Sequence, residues 1–136
     1  MYSKITSTKE IQMKIAAIIT RTLMGLMFLF ASLTYLFKLI TPPPMDGAMK
    51  VFNEGLMAAV YLMPTVKVIE LLCGLAFVSG KFVRLAIVVI FPIVVNIVGV
   101  HLFLDRSGLP VAIPLLLINL FLAYYYRDSY KSMLQP

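Results

Sequence analysis

The chain has 136 residues, of which 61% are hydrophobic and 13% are charged. Soluble domains contain roughly 45–50% apolar and about 25% charged residues, so a soluble domain of this size would have too much apolar surface to bury. The net charge of +6 is spread along the chain, whereas a nucleic-acid-binding surface needs clustered basic and aromatic side chains. The composition therefore excludes nucleic acid as a partner and predicts a protein whose solvent is the lipid bilayer.

The first predicted element is a membrane-spanning helix over residues 13–40. It contains Arg21 and ends close to Lys38, and the stretch TLMGLMFLFASLTYLF between them carries no charge. The following run TPPP stops the helix, because prolines lack the backbone donor and force extended conformations. The apolar stretch is longer than the core of a signal peptide and has no small-residue cleavage site after it. We therefore expect the first span to remain in the protein.

The second predicted element is an amphipathic helix over residues 45–63. One stripe at helical spacing is apolar and consists of Met49, Phe52, Leu56, Val60 and Met63. Charged and amide side chains lie off this stripe. A helix of this kind between two spans is typical of the membrane interface.

Three more spans are predicted over residues 64–80, 85–104 and 109–126. The third span of the chain has no fully charged side chain and covers about 30 Å of hydrocarbon at 1.5 Å per residue. The sequence thus predicts an all-α fold, an integral membrane four-helix bundle with a short interfacial helix between spans one and two, in a single domain over residues 1–136.

Lysine and arginine residues at the ends of the spans predict the orientation. If the N-terminus is cytoplasmic, eight basic residues lie at the inner side, namely Lys4, Lys9, Lys14, Arg21, Lys81, Arg84, Arg127 and Lys131. Four lie at the outer side, namely Lys38, Lys50, Lys67 and Arg106. The asymmetry favours a multi-pass protein with both termini in the cytoplasm.

Four ionisable residues are candidates for a ligand or partner pocket in the outer half of the membrane: Lys38, Lys67, Glu70 and His101. Glu70 is the deepest, since it follows Pro64 by six residues and so lies roughly 9 Å along the helix. An isolated carboxylate at that depth costs several kcal/mol and shifts toward its neutral form. A partner is therefore expected, although a structural ion pair between Lys67 and Glu70 near the headgroups is the alternative.

Five further polar or small residues are candidates for helix packing: Arg21, Gly25, Gly74, Asn96 and Asn119. Glycines at helical spacing from a charged residue allow another backbone to approach. The two asparagines lie near the middle of their spans, where an amide usually forms a hydrogen bond across a helix interface. Arg21 is also interpreted as a residue whose long side chain reaches the inner headgroups.

The stretches RTLMGLMFLF and IELLCGL and the third span ending in VH resemble the DoxX family of small bacterial membrane proteins. The family pattern has Arg-x3-Gly in the first span and Glu-x3-Gly in the second. The resemblance therefore points to Arg21, Gly25, Glu70 and Gly74, and more weakly to His101.

The resemblance implies a four-helix bundle in the bacterial inner membrane. Some members of the family are subunits of membrane oxidoreductases that act on quinones, and related proteins assist the assembly or export of others. The sequence has one cysteine and no metal-ligand spacing or phosphate loop, so no metal is predicted and no catalytic residue is assigned. Two functions remain open: an accessory subunit that binds a quinone or lipid noncovalently in an apolar pocket, and a scaffold that binds other membrane proteins or a second copy of itself.

Overall fold

The computed structural model describes residues 2–136 and contains five α-helices, with no strand in that range. They are α1 (Tyr2–Leu36), α2 (Gly47–Ala58), α3 (Leu62–Ser79), α4 (Val83–Phe103) and α5 (Leu109–Tyr125). Short 3-10 helices span Arg106–Gly108 and Arg127–Met133. The predicted all-α fold is confirmed.

Four helices within residues 2–136 are long and apolar enough to cross a membrane: α1, α3, α4, and α5 with the 3-10 turn before it. They form a closed bundle in which α1 packs against α3, α3 against α4, α4 against α5, and α5 against α1. The core is apolar and includes Met24, Phe28, Phe77, Ile87, Ile90 and Leu122. Large apolar side chains also cover the outside, including Leu23, Phe30, Leu72, Leu85 and Leu117. An apolar exterior around an apolar core is what a multi-pass membrane bundle requires.

Helix α1 begins and ends earlier than the predicted span 13–40. No glycine or proline precedes Gly25, so the polar N-terminal residues continue the same helix. The helix ends at Leu36 because Lys38 adopts a left-handed conformation with φ of 52°. The N–H of Lys38 donates to the carbonyl of Tyr35, and the N–H of Leu39 donates to the carbonyl of Thr34, which is a Schellman motif. The chain therefore turns before it reaches the prolines.

Helix α2 is shorter than the predicted helix 45–63. It ends at Ala58, and the N–H of Leu62 donates to the carbonyl of Ala59 in a turn that starts α3. Val60 is 82% exposed in this turn, so its placement on the apolar stripe of α2 is wrong. The remaining spans agree with the predicted bounds to within two residues at each end.

The contact between α1 and α3 depends on two glycines. A Cβ atom at Gly25 would lie 2.8 Å from the Cβ of Phe77 and 3.0 Å from the carbonyl oxygen of Gly74. A Cβ atom at Gly74 would lie 3.0 Å from the carbonyl oxygen of Gly25. The two backbones therefore touch directly, as small residues at a helix crossing allow. This crossing fixes the position of Glu70, one turn before Gly74 on α3.

Candidate functional site

A partly open cavity of about 450 Å³ is lined by residues from all five helices, and some of these residues, including Asn96, are exposed. Most of its wall is apolar and includes Met27, Phe28, Phe52, Leu56, Ile93 and Leu115. The polar side chains that line it are Lys67, Glu70, Asn96 and His101. An apolar cavity with a few polar groups is the usual form of a small-molecule site, for which typical volumes are about 300–1,000 Å³.

Glu70 and Lys67 form an ion pair in the cavity wall. The Lys67 Nζ atom lies 2.8 Å from Oε2 of Glu70, and their side chains are 15% and 4% exposed respectively. Residues three apart on a helix lie on one face, so the pair forms within α3 without any other element. The Lys67 ammonium also lies 5.9 Å from the centre of the Tyr35 ring on α1, within the range of a cation–π contact.

His101 lies in the last turn of α4, and the chain that follows holds its ring in place. Its Nδ1 atom is 2.9 Å from the carbonyl oxygen of Asp105, and because a carbonyl only accepts, Nδ1 carries the proton in this hydrogen bond. The imidazole ring packs directly against Gly108, where a Cβ atom would overlap it. Hydrogen bonds from the side chain and backbone of Ser107 lower the pKa of the Asp105 carboxyl in the connection after α4. The ring thus has a fixed orientation at one end of the cavity.

Asn96 and Asn119 differ in what they bind. The Asn96 side chain donates to the carbonyl of Pro92 in its own helix at 2.9 Å, so the prediction that Asn96 bonds across an interface is wrong. Asn96 faces the cavity instead, and its amide retains one N–H and its oxygen for a ligand. Asn119 is buried and donates across the interface to the carbonyl of Ile87 on α4 at 3.4 Å, as predicted for this residue.

Lys38 and Arg21 both lie away from the cavity. Lys38 is exposed in the connection after α1 and does not line the cavity, so its inclusion in the pocket is wrong. The reason is the early end of α1, because the left-handed conformation at Lys38 turns the chain out of the bundle. Arg21, on α1, lies near the C-terminal end of α3, away from Lys67 and Glu70. Both of its terminal guanidinium nitrogens are 3.2 Å from the position that a Cβ on Gly80 would take.

Sequence reasoning missed the contribution of α2 to the site. Phe52 and Leu56 line the cavity, whereas the apolar stripe that contains them predicts a helix facing the membrane interface. The helical spacing of Tyr35 from Gly25, Phe28 and Ser32 predicts that it points into the bundle, and in the structure its ring lies beside the Lys67 ammonium.

A model of the DoxX family matches residues 16–102, which are more than half of the chain. The chain belongs to the DoxX family. The matched region of this DoxX protein includes Glu70 and His101 and most of the cavity wall, while α5 lies beyond it. No curated protein and no solved structure matches the chain.

Proposed function

We propose that this DoxX protein binds an amphiphilic small molecule of the quinone class in the cavity, as an accessory subunit of a membrane oxidoreductase. The observation that carries this proposal is the convergence of Lys67, Glu70, Asn96 and His101 on one apolar cavity of about 450 Å³. A quinone has an apolar body and carbonyl oxygens that accept hydrogen bonds. The cavity supplies both kinds of contact.

The donors for those carbonyls are the Lys67 ammonium and the Asn96 amide. Glu70 is a carboxylate without a proton to donate when it is paired, so its role is to hold the ammonium in the cavity wall through their 2.8 Å contact. His101 lies at the same cavity, where the hydrogen bond from its Nδ1 to Asp105 leaves Nε2 as an acceptor in the neutral ring. A hydroxyl of the reduced quinol would donate to such an acceptor.

The experiment compares ligands carried through a gentle detergent purification by the wild type, Glu70→Gln and the control Glu54→Gln. Glu54 is exposed on α2 and does not line the cavity. Extraction followed by mass spectrometry identifies the ligand, and binding of decylubiquinone provides a titratable probe. Without the Glu70 carboxylate, the Lys67 ammonium is no longer held in the cavity wall, and its hydrogen bond to the quinone is lost. Loss of a hydrogen bond to a charged group costs about 1.5–3 kcal/mol. Glu70→Gln is therefore expected to weaken binding roughly 10- to 100-fold.

Equal ligand content and equal decylubiquinone affinity in all three proteins would contradict the proposal. A stable complex with another membrane protein, purified without a ligand and unaffected by Glu70→Gln, would favour the scaffold function instead. The double variant Lys67→Met with Glu70→Leu separates the two roles of the pair. It should keep the fold but lose the ligand, because two apolar groups replace the ion pair without supplying a donor.

We also propose that the protein lies in the inner membrane with both termini in the cytoplasm. The support is the excess of basic residues at the end of the bundle that carries the termini. Asp46, in the connection between α1 and α2, would then face the outside. A cysteine introduced there in a chain with Cys73→Ala should react with an impermeant maleimide in intact cells, and labelling only after lysis would reverse the orientation.

A further inference from the structure

A second apolar recess runs along the outside of the bundle between α3 and α4. This groove has a volume of about 500 Å³ and is lined by Leu72, Leu75 and Ala76 on α3 and by Leu85 and Val89 on α4. From Ser79 to Leu72 it follows α3 for about 10 Å, which keeps it within one leaflet of a bilayer whose hydrocarbon is about 30 Å thick. The groove shares no lining residue with the Glu70 cavity.

One end of the groove is positively charged. Lys81 lines this end and is exposed, and none of the ion pairs within residues 2–136 includes it. Arg21 on α1 has its guanidinium against Gly80, the residue before Lys81, and its Nε atom is buried without a hydrogen-bond partner. No acidic residue lies between Glu70 and Asp105 in the sequence.

The start of α4 adds unpaired backbone donors at the same end. Its N-cap residue, Phe82, is in a left-handed conformation with φ of 59° and makes no side-chain cap. The first N–H groups of a helix have no partner within the helix and carry the positive end of its dipole, so they favour an anion. Arg84 in this turn is engaged elsewhere, since its guanidinium lies 5.6 Å from the centre of the Tyr126 ring.

We propose that the groove between α3 and α4 holds an acyl chain of an anionic phospholipid, whose phosphate lies against Lys81 and the first turn of α4. Charge selects this ligand among membrane lipids, because the groove ends in a lysine that forms no ion pair within residues 2–136 and lies directly before the first turn of α4. The apolar walls select a lipid over free phosphate. Phe82 is 80% exposed and lines the same end.

The test measures lipid retention by native mass spectrometry after incubation with palmitoyl-oleoyl-phosphatidylglycerol or the zwitterionic phosphatidylcholine of the same chains. The wild type should retain the anionic lipid in preference. One basic residue at an anionic surface contributes a factor of about five, so Lys81→Gln should lower phosphatidylglycerol retention about fivefold and leave phosphatidylcholine unchanged. Lys9→Gln, which removes an exposed lysine on α1, is the matched control.

A second pair of variants tests the groove itself. Val89→Trp fills the groove, whereas Val95→Trp places the same side chain on another exposed site of α4. Only Val89→Trp should reduce retention, and it should do so for both lipids. Equal losses in Lys81→Gln and Lys9→Gln, or in the two tryptophan variants, would overturn the proposal in favour of unspecific surface lipid. Glu70→Gln should retain lipid normally, so this result is independent of the cavity's function.

Discussion

Removal of one member of the Lys67/Glu70 pair tests how the charges inside the bundle are stabilised. The contact of 2.8 Å between side chains that are 15% and 4% exposed corresponds to an attraction of about 6 kcal/mol at an effective dielectric constant of 20. Burial of each ion costs several kcal/mol, so the intact pair contributes little net stability. The substitution Lys67→Met removes the attraction but leaves the buried carboxylate.

We expect Lys67→Met to lower the free energy of unfolding by about 3 kcal/mol, because the buried Glu70 carboxylate then has no partner. The double variant with Glu70→Leu should return to within about 1 kcal/mol of the wild type, since no charge then remains buried. The measurement is reversible unfolding by dodecyl sulfate in mixed micelles. The single variant Glu70→Leu completes the cycle.

A second lysine–glutamate pair provides the matched control. Lys50 and Glu54 on α2 lie 4.0 Å apart and are 60% and 65% exposed, so Lys50→Met should change the free energy of unfolding by less than about 1 kcal/mol. If the losses from Lys67→Met and Glu70→Leu simply add in the double variant, the two groups do not interact, and the argument from their burial is refuted.

Three further changes have expected outcomes that thermal unfolding in detergent can measure. Gly25→Ala should destabilise the protein by about 1–3 kcal/mol through overpacking, because the new Cβ would lie 2.8 Å from the Cβ of Phe77 on α3. The control Gly55→Ala, where a Cβ would have no atom within 4 Å, should stabilise it instead. Equal effects of the two changes would disprove the close crossing. Lys38→Gly should raise stability by about 1 kcal/mol by relieving the left-handed backbone, and a loss would show that the lysine makes a contact of its own. Asn119→Leu should cost about 1 kcal/mol because the hydrogen bond from its side chain to the Ile87 carbonyl is lost, and an unchanged melting temperature would contradict this bond at 3.4 Å.

Helix formation and the membrane class follow from the sequence because both depend on local properties. Runs of about 20 apolar residues predict spans whatever the helices pack against. The same holds for Lys67 and Glu70, whose spacing of three residues places them on one face of any helix. Their ion pair was therefore predictable, and so was the burial of Gly74 on the same stripe.

The end of α1 and the shape of the cavity depend on contacts that local patterns do not contain. The prolines after residue 41 predict a stop, but the Schellman motif at Lys38 comes first and removes that lysine from the pocket. Asn96 shows the same limit, since the sequence places it at mid-membrane but not on a particular side of α4. The direct backbone contact at Gly25 and Gly74 sets how α3 lies on α1, and this packing, together with the closure of the bundle by α4 and α5, brings Glu70, Asn96 and His101 to one cavity.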